Sequence, residues 1–311
     1  MSLRVTLGRS GLSVSPVCFG TWQLSPKFWG TQSEDEIIAA MHRAFDVGVN
    51  FYDTADAYGD GLAETVLGKA LKTLPRDQVV VATKVYHHFY PDGHRHPDLS
   101  RDYILKECEA SLRRLQMDYI DLYQCHAFDP ITPIEETTDA LERLKSQGKI
   151  RAYGVSNFTV EQLRLARRYG DYATAQPDYD LLNTHIEADL LPYCQSESIG
   201  VLVYSSLHRG LLTGKYKGTE TFNDLRATHP DFQGERFRQL ASRVASLGSI
   251  AEKYNMTITQ LVLAATLMHP GVHVAIVGIK HPSQIEEASN AMGKSIDRED
   301  YWQIRRILGS M

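Results

Sequence analysis

Short apolar runs alternate with longer amphipathic stretches along most of this chain. The runs have the length and β-branched content of buried strands, and the stretches repeat apolar residues at helical spacing. The predicted strands cover 17–20, 50–53, 79–84, 119–124, 152–156, 173–176, 201–204 and 274–277. The predicted helices cover about 34–45, 64–71, 101–115, 134–147, 160–169 and 190–197, with others from about 243, 282 and 297. Such alternation predicts parallel strands joined by crossover helices.

The number of strand–helix units favours a (β/α)8 TIM barrel, an α/β fold. The alternative is a doubly wound sheet, but the first strand is not followed by the G-x-G-x-x-G turn typical of that fold. Residues 3–15 surround a Gly-Arg-Ser-Gly turn and predict an N-terminal β-hairpin. Residues 205–235 break the rhythm and predict a mobile insertion. We therefore expect one barrel domain over 1–311, with long loops at its C-terminal face and a C-terminal helix.

Composition excludes several classes of function. The 33 basic and 38 acidic residues give a net charge of −5, so nucleic acid is not an expected partner. No run approaches the roughly 20 apolar residues that span a bilayer, and the start does not resemble a signal peptide. The four cysteines lack C-x-x-C spacing, which favours reduced, buried thiols. These features predict a cytoplasmic protein without a membrane partner.

Four polar residues stand at or near the ends of three successive strands, where barrels carry their active sites. They are Asp53, Tyr58, Lys84 and His126. A lysine that closes an apolar strand needs a partner, and Asp53 ends the neighbouring strand. Two interpretations remain open from spacing alone, namely a plain buried ion pair and a proton-transfer site.

The proton-transfer interpretation has a physical basis. A free phenol has a pKa of ~10, too high for an effective acid at neutral pH. A lysine charge ~4 Å away, at an effective dielectric of ~20, contributes about 4 kcal/mol, or roughly three pKa units. We therefore expect Lys84 to lower the pKa of Tyr58 while Asp53 holds the lysine. Tyr58 could then protonate a carbonyl oxygen as hydride reaches the carbon, with a neutral His126 orienting that oxygen.

These residues lie in motifs that resemble those of the aldo-keto reductase family over nearly the full chain. The motifs are NFYDTADAYG at 50–59, VATKV at 81–85, DYIDLYQCH at 118–126 and KIRAYGVSNF at 149–158. Each motif alone is moderately specific, and four in order on successive strand–helix units are very specific. The resemblance implies an NAD(P)(H)-dependent oxidoreductase acting on aldehyde, ketone or sugar carbonyls, with Tyr58 as general acid/base in a catalytic tetrad.

The resemblance also implies binding residues for an extended nicotinamide cofactor across the barrel mouth. The cofactor-binding residues are Gly20, Thr21, Trp22, Asp53, Ser156, Asn157, Gln176, Tyr204, Ser205, Ser206, Leu207, Gly210, Leu212, Lys215, Gly278, Lys280, Gln284 and Glu287. The residues of the substrate pocket are Trp22, Tyr58, Tyr86, His126 and Phe128. The substrate is expected to be a small carbonyl compound or alcohol, bound by a monomer or a homo-oligomer.

The chain departs from the family pattern at four positions. Ser206 replaces a frequent proline, Asp180 and Ala288 replace frequent asparagines, and His281 stands where a second basic residue is common. Lys280 remains as a partner for a 2′-phosphate, which favours NADPH/NADP+ while leaving NADH possible.

Three other hypotheses deserve a test. The loop 86–100 is rich in histidine and aspartate, which are zinc ligands, but it lacks an i, i+4 pair, so we predict a polar active-site loop and no metal. Lys84 could form a Schiff base, although Asp53 opposes the neutral amine that this requires. The chain could also be a redox-sensing regulatory subunit, like the family members that attach to potassium channels. A nucleophilic Cys125 paired with His126 is rejected, because adjacent strand residues face opposite sides.

Overall fold

A computed structural model of the protein describes residues 3–90 and 92–309. The two ends of the expected 1–311 domain, and Pro91 in the loop 86–100, lie outside the described residues. The strands of the described part are β1 (Val5–Thr6), β2 (Ser13–Val14), β3 (Val17–Gly20), β4 (Phe51–Asp53), β5 (Val80–Val85), β6 (His87–Phe89), β7 (Arg95–Pro97), β8 (Ile120–Cys125), β9 (Ile150–Ser156), β10 (Thr174–Gln176), β11 (Gly200–Val203) and β12 (Val274–Gly278). Its helices are α1 (Pro26–Trp29), α2 (Glu34–Asp46), α3 (Leu62–Leu71), α4 (Arg101–Leu115), α5 (Ile134–Ser146), α6 (Val160–Ala166), α7 (Leu190–Ser196), α8 (Gly234–Ala245), α9 (Gly248–Lys253), α10 (Ile258–Leu267), α11 (Pro282–Ser289) and α12 (Arg298–Leu308).

Parallel strands close into a barrel in which the last strand pairs with the first. Around the barrel the order is β3, β4, β5, β8, β9, β10, β11 and β12, which follows the chain. At the seam between β12 and β3, Ala275 pairs with Val17 and Gly278 with Gly20. The predicted (β/α)8 barrel is confirmed, and a doubly wound sheet is excluded because such a sheet stays open at both edges.

Apolar side chains and the N-terminal hairpin fill the barrel towards the N-terminal ends of its strands. The interior cluster includes Cys18, Phe51, Ala82, Leu122, Ala152, Leu202 and Ile276, all buried. The hairpin of β1 and β2 adds Leu7, Leu12 and Val14 to this cluster. Gly8 has φ of +53°, and a Cβ there would lie 2.1 Å from the backbone nitrogen of Gly200, so the hairpin sits tightly against β11. The C-terminal end is left as the open mouth.

Amphipathic helices cover the outside of the barrel. The N-terminus of α2 is capped by Ser33, whose hydroxyl accepts from the backbone N–H of Glu36. Cys108 of α4 and Cys125 of β8 pack in the helix-facing core, as strand alternation predicts for Cys125. The described residues contain no helix long and apolar enough to cross a membrane.

Two segments differ from the expected loops. β6 and β7 form an antiparallel hairpin within 86–100, with His88 paired to His96. The segment 205–235 contains short 3-10 turns, and α8 begins at Gly234 rather than near 243. Its aromatic residues Tyr216, Phe222 and Phe232 pack together with Phe237 of α8. Periodicity does not detect such packing because the aromatic residues are irregularly spaced; the mobility of this segment stays a prediction.

Candidate active site

A cavity of about 810 Å³ occupies the open end of the barrel. The ends of the strands and the loops that follow them form its wall. Most of the residues expected at a cofactor or substrate site line it. They are Gly20, Thr21, Trp22, Asp53, Tyr58, His126, Ser156, Asn157, Gln176, Tyr204, Ser205, Ser206, Leu207, Gly210, Lys215, Gly278, Lys280, Gln284 and Glu287.

A buried ion pair lies at the base of this cavity. The Nζ atom of Lys84 donates to Oδ1 of Asp53 at 2.7 Å and to the carbonyl oxygen of Thr54 at 2.8 Å. The other carboxylate oxygen of Asp53 accepts from Nε2 of Gln176 at 2.8 Å. The side chains of Lys84 and Asp53 are 0% and 3% exposed, so these hydrogen bonds compensate for the loss of water around both charges.

The charge of Lys84 distinguishes a Schiff-base nucleophile, which must be neutral, from a charged partner of Tyr58 in proton transfer. Burial lowers the pKa of the lysine, but the carboxylate of Asp53 and the neighbouring Tyr58 outweigh burial, so the net pKa is raised. Lys84 therefore remains an ammonium group and is enclosed below the cavity surface. Both properties oppose the Schiff-base hypothesis, which needs a neutral and accessible amine.

Tyr58 lies between this ion pair and the open cavity. The Nζ atom of Lys84 is 5.1 Å from the centroid of the Tyr58 ring. Burial is the largest influence on the pKa of Tyr58 and raises it, Lys84 lowers it and Asp53 raises it, so the net pKa is raised. The expected net lowering of this pKa is therefore wrong for the structure described, because desolvation of the phenolate exceeds the attraction of the ammonium. Tyr58 keeps its proton at neutral pH.

His126 faces Tyr58 across the cavity. The two rings meet edge-on with centroids 5.8 Å apart. Burial, together with the charge of Lys84 and the proximity of His87, lowers the pKa of His126 well below its usual range. Its Nδ1 atom is buried without a hydrogen-bond partner in the described part of the chain. His126 is therefore a neutral imidazole with unused hydrogen-bonding capacity, as expected from the sequence.

A hydrogen-bond network joins the ends of β9, β10 and β11 beside these groups. The hydroxyl of Ser156 donates to the carbonyl oxygen of Gln176 at 2.8 Å. Asn157 donates to the carbonyl oxygen of His126 at 2.9 Å and accepts from the hydroxyl of Tyr204 at 2.7 Å. Asn157 has φ of +57°, a conformation that asparagine tolerates better than most residues. The network places polar side chains next to a flat aromatic ring, a suitable surface for a planar amide-bearing ring.

The segment after β11 is held in place by two residues that depart from the family pattern. Ser206 donates its hydroxyl to the carbonyl oxygen of Ile276 at 2.7 Å. His208 lies between two carboxylates, with Nδ1 2.8 Å from Asp180 and Nε2 2.8 Å from Asp231. Burial lowers the pKa of His208, but the two carboxylates together raise it by more. The net pKa is therefore above its usual value. Asp180 and Ser206 thus have hydrogen-bond partners in this structure.

Basic side chains gather around Trp29 in the wall of the cavity. Lys280 and Arg226 approach the ring of Trp29, with cation-to-centroid distances of 5.2 Å and 5.5 Å. Burial, followed by repulsion from Arg226 and Lys215, lowers the pKa of Lys280. Arg226 is also paired with Asp224. An anion bound here would relieve the repulsion among the three cations, so this part of the wall is suited to a phosphate group.

Residues 16–308 match the model of the aldo/keto reductase family. The chain belongs to this family. The aldo-keto reductase YhdN of Bacillus subtilis is 40% identical over 97% of this chain and 92% of its own length. The NADH-specific methylglyoxal reductase of Escherichia coli is 34% identical over 98% of each chain.

Solved structures of family members share the barrel. The glycerol dehydrogenase AKR11B4 from Gluconobacter oxydans has a TM-score of 0.89 and 36% identity, covering 96% of this chain and 92% of its own. An aldo/keto reductase from Klebsiella pneumoniae, solved in complex with NADP and acetate, has a TM-score of 0.78 and 31% identity, covering 99% of this chain and 96% of its own.

Three residues expected at the site of this aldo/keto reductase lie outside the cavity lining. Tyr86 donates its hydroxyl to the carbonyl oxygen of Phe128 at 3.4 Å, and the ring of Phe128 packs edge-on against Phe158 at 5.3 Å. Leu212 is fully buried in the apolar cluster between α8, α10 and α12. The assignment of Tyr86 and Phe128 to the substrate pocket and of Leu212 to the cofactor site stays a prediction.

Several lining residues of this aldo/keto reductase escaped the sequence analysis. They are Gln23, Phe28, Trp29, Ala57, Arg209, Thr213, Arg226, Thr259, Ile276, Val277 and Ile279. Gln23 fills the space beside Gly278, where a Cβ would lie 1.9 Å from its Nε2 atom. Phe28 and Trp29 follow the end of β3, and their aromatic character could have been used to predict that they line the cavity. Arg226 had no such signal, since it comes from the segment 205–235.

The histidines of the β6–β7 hairpin form a stacked aromatic patch. Possible metal-binding atoms of His88, His96 and Asp98 lie within 4.8 Å of one another. The rings of His88 and His96 stack with centroids 5.0 Å apart, and Tyr103 stacks on His88 at 4.4 Å. Nearly parallel rings do not direct their nitrogen lone pairs at one point, so this arrangement is unsuited to a shared metal ion. The absence of a metal stays a prediction.

Proposed function

We propose that this aldo/keto reductase is an NADP(H)-dependent oxidoreductase that transfers hydride between the cofactor and a carbonyl or alcohol carbon. The observation that carries the proposal is the position of Tyr58. Its phenol faces an open cavity, keeps its proton and has the buried Lys84–Asp53 pair directly behind it. Such a phenol can act as general acid towards a carbonyl oxygen, with Asp53, Tyr58, Lys84 and His126 as the catalytic tetrad.

The residues of the cavity fit an extended dinucleotide. Tyr204 offers a ring for stacking, and the neighbouring Asn157 and Gln176 offer amide groups for a carboxamide. Around Trp29, Lys280 and Arg226 offer positive charge for phosphate groups. When bound, the cofactor would supply or accept the hydride. The complex of the Klebsiella relative with NADP supports this choice of cofactor.

The side chains of the tetrad would handle the proton and the charge on oxygen. Tyr58 donates its proton to the carbonyl oxygen as negative charge develops there. Lys84 stabilises the phenolate that remains, and Asp53 keeps the ammonium in position through its 2.7 Å contact. Neutral His126 donates a hydrogen bond that orients the carbonyl. In the direction of alcohol oxidation, the phenolate of Tyr58 takes the proton back.

The proposal is tested by measuring cofactor binding and turnover in the purified protein. We expect NADPH to bind in a fluorescence titration, more tightly than NADH, and to be consumed steadily with aldehydes, ketones, diones or sugars. A redox-sensing regulatory subunit would bind the cofactor without sustained turnover. Failure of both cofactors to bind would contradict the proposal.

Removing the positive charge at Lys280 is expected to weaken NADPH more than NADH. The Lys280→Ala variant should raise the Kd of NADPH by about tenfold or more, because a hydrogen bond to a charged group contributes roughly 1.5–3 kcal/mol. NADH lacks the 2′-phosphate, so its Kd should change much less. The measurement is a fluorescence titration with each cofactor.

Two further variants make this result specific. Arg226→Ala should weaken NADPH in the same direction, since Arg226 approaches the same Trp29 ring as Lys280. Lys217→Ala removes an equal charge from an exposed position nearby and should leave both Kd values unchanged. Equal losses for NADPH and NADH in Lys280→Ala would remove the argument for a 2′-phosphate contact.

A further inference from the structure

The cavity is lined by a further basic residue, Arg95, which approaches a different aromatic ring from the proposed phosphate-binding cations Lys280 and Arg226. Arg95 lies on β7 and lines the cavity together with His87 of the paired strand β6. The ring of His87 is 6.3 Å from that of His126 and 6.4 Å from that of Phe89. The guanidinium of Arg95 lies over Phe89, 4.9 Å from its centroid. Arg95 therefore belongs to the Tyr58–His126 end of the cavity, where the substrate would bind.

We propose that Arg95 binds a carboxylate carried by the substrate, so that the preferred substrates are aldehydes with a carboxylate several bonds from the carbonyl group. This inference rests on the proposed function, because it assumes that the carbonyl is placed between Tyr58 and His126. It adds a substrate class, the oxo acids, that the reaction type alone does not define.

The contacts of Arg95 leave it able to bind such a group. Its Nη2 atom is paired with Asp60, whose side chain is 65% exposed. An ion pair with an exposed partner contributes only about 0–1 kcal/mol, so it can be shared or exchanged at little cost. A guanidinium has five N–H donors and binds carboxylates through two parallel hydrogen bonds. Contact with Phe89 holds the group at the cavity wall while these donors remain available.

The spacing along the cavity defines where the carboxylate must be. His87 lies between His126 and Phe89, so a carboxylate attached directly to the reacting carbon would remain near His126. Burial, followed by the charge of Arg95, lowers the pKa of His87. As a neutral ring, His87 can contact the chain that joins the two functional groups. The aromatic wall of Trp22 and Phe28 suits an apolar connecting segment.

The experiment compares 4-formylbenzoate with its methyl ester, two aldehydes of similar size that differ in charge. We expect kcat/KM for the acid to exceed that for the ester by about tenfold in the parent protein, because one charged hydrogen bond corresponds to roughly that factor. In Arg95→Gln the ratio of acid to ester should fall to about one. Arg95→Lys should keep an intermediate ratio, since the charge remains but the paired donors are lost.

Asp60→Asn provides a test that does not alter Arg95 itself. This variant removes the competing carboxylate, so the ratio of acid to ester should rise above that of the parent. The ratio should also decrease with added salt in the parent but not in Arg95→Gln. An unchanged ratio in both Arg95→Gln and Asp60→Asn would overturn the proposal, as would a parent protein that prefers the ester.

The remaining outcomes separate this inference from the proposed function. If 4-formylphenyl phosphate is preferred to 4-formylbenzoate and depends on Arg95, the assignment of a carboxylate is wrong. If the parent reduces the ester and other neutral aldehydes without preference for the acid, the inference fails while the proposed function stands. If NADPH is not oxidised with any aldehyde, the proposed function itself fails.

Discussion

Replacing Tyr58 with phenylalanine is expected to lower kcat by about 10²-fold or more, because proton donation by a positioned acid contributes an effect of that size. The change removes one oxygen atom and leaves the ring against Trp22 and His126. The Kd of NADPH should therefore stay close to its original value. Steady-state kinetics with a reactive aldehyde and a fluorescence titration measure the two quantities.

A matched variant tests whether the loss is specific to the phenol in the cavity. Tyr86→Phe makes the same chemical change at a tyrosine outside the cavity lining, whose hydroxyl donates to the carbonyl of Phe128. We expect Tyr86→Phe to retain most of the parental kcat. If Tyr58→Phe reduces carbonyls at the parental rate, Tyr58 is not the general acid.

Replacing Asp53 with alanine is expected to reduce the free energy of unfolding by about 3–5 kcal/mol, the usual cost of leaving a buried charge without its partner. Lys84 would keep the carbonyl of Thr54 as an acceptor but lose its counter-ion. Gln176 would also lose its acceptor. Urea denaturation measures the change, and turnover should fall as well because Lys84 is no longer held in place.

The double variant Asp53→Ala/Lys84→Met separates the electrostatic effect from the loss of packing. Removing both charges should restore part of the stability lost in Asp53→Ala, since no uncompensated ammonium remains. It should not restore turnover, because the group that stabilises the phenolate of Tyr58 is gone. If Asp53→Ala lowered the free energy of unfolding by less than about 1 kcal/mol, the Asp53–Lys84 ion pair would contribute no more than an ion pair at the protein surface.

The sign of the Tyr58 pKa shift shows one limit of reasoning from sequence. Motif spacing places Lys84 near Tyr58, and from that proximity alone a lowered pKa follows. The structure adds the burial of the phenol, which acts in the opposite direction and prevails. Burial depends on every element around a side chain, so neighbouring positions in a motif do not reveal it.

The departures from the family pattern show a second limit. In the sequence, Asp180 is a departure from the family pattern and His208 is not singled out. The structure shows that the two side chains form a hydrogen bond at 2.8 Å. Arg226, which comes from the segment 205–235, lies with Lys280 at the ring of Trp29 and adds a second basic residue there. Arg226 reaches the cavity because the aromatic side chains of the segment 205–235 pack against α8.

Periodicity and motif order were sufficient to predict the barrel and the four polar residues at the ends of its strands. This was possible because periodicity is local and the C-terminal ends of parallel strands meet at one face of the barrel. Only the tertiary structure revealed that Trp29, Arg95 and Arg226 line the cavity and that Tyr86, Phe128 and Leu212 are absent from its lining. The reason is physical, because the direction of a loop side chain is set by packing against segments distant in sequence, and no pattern within the loop records those contacts.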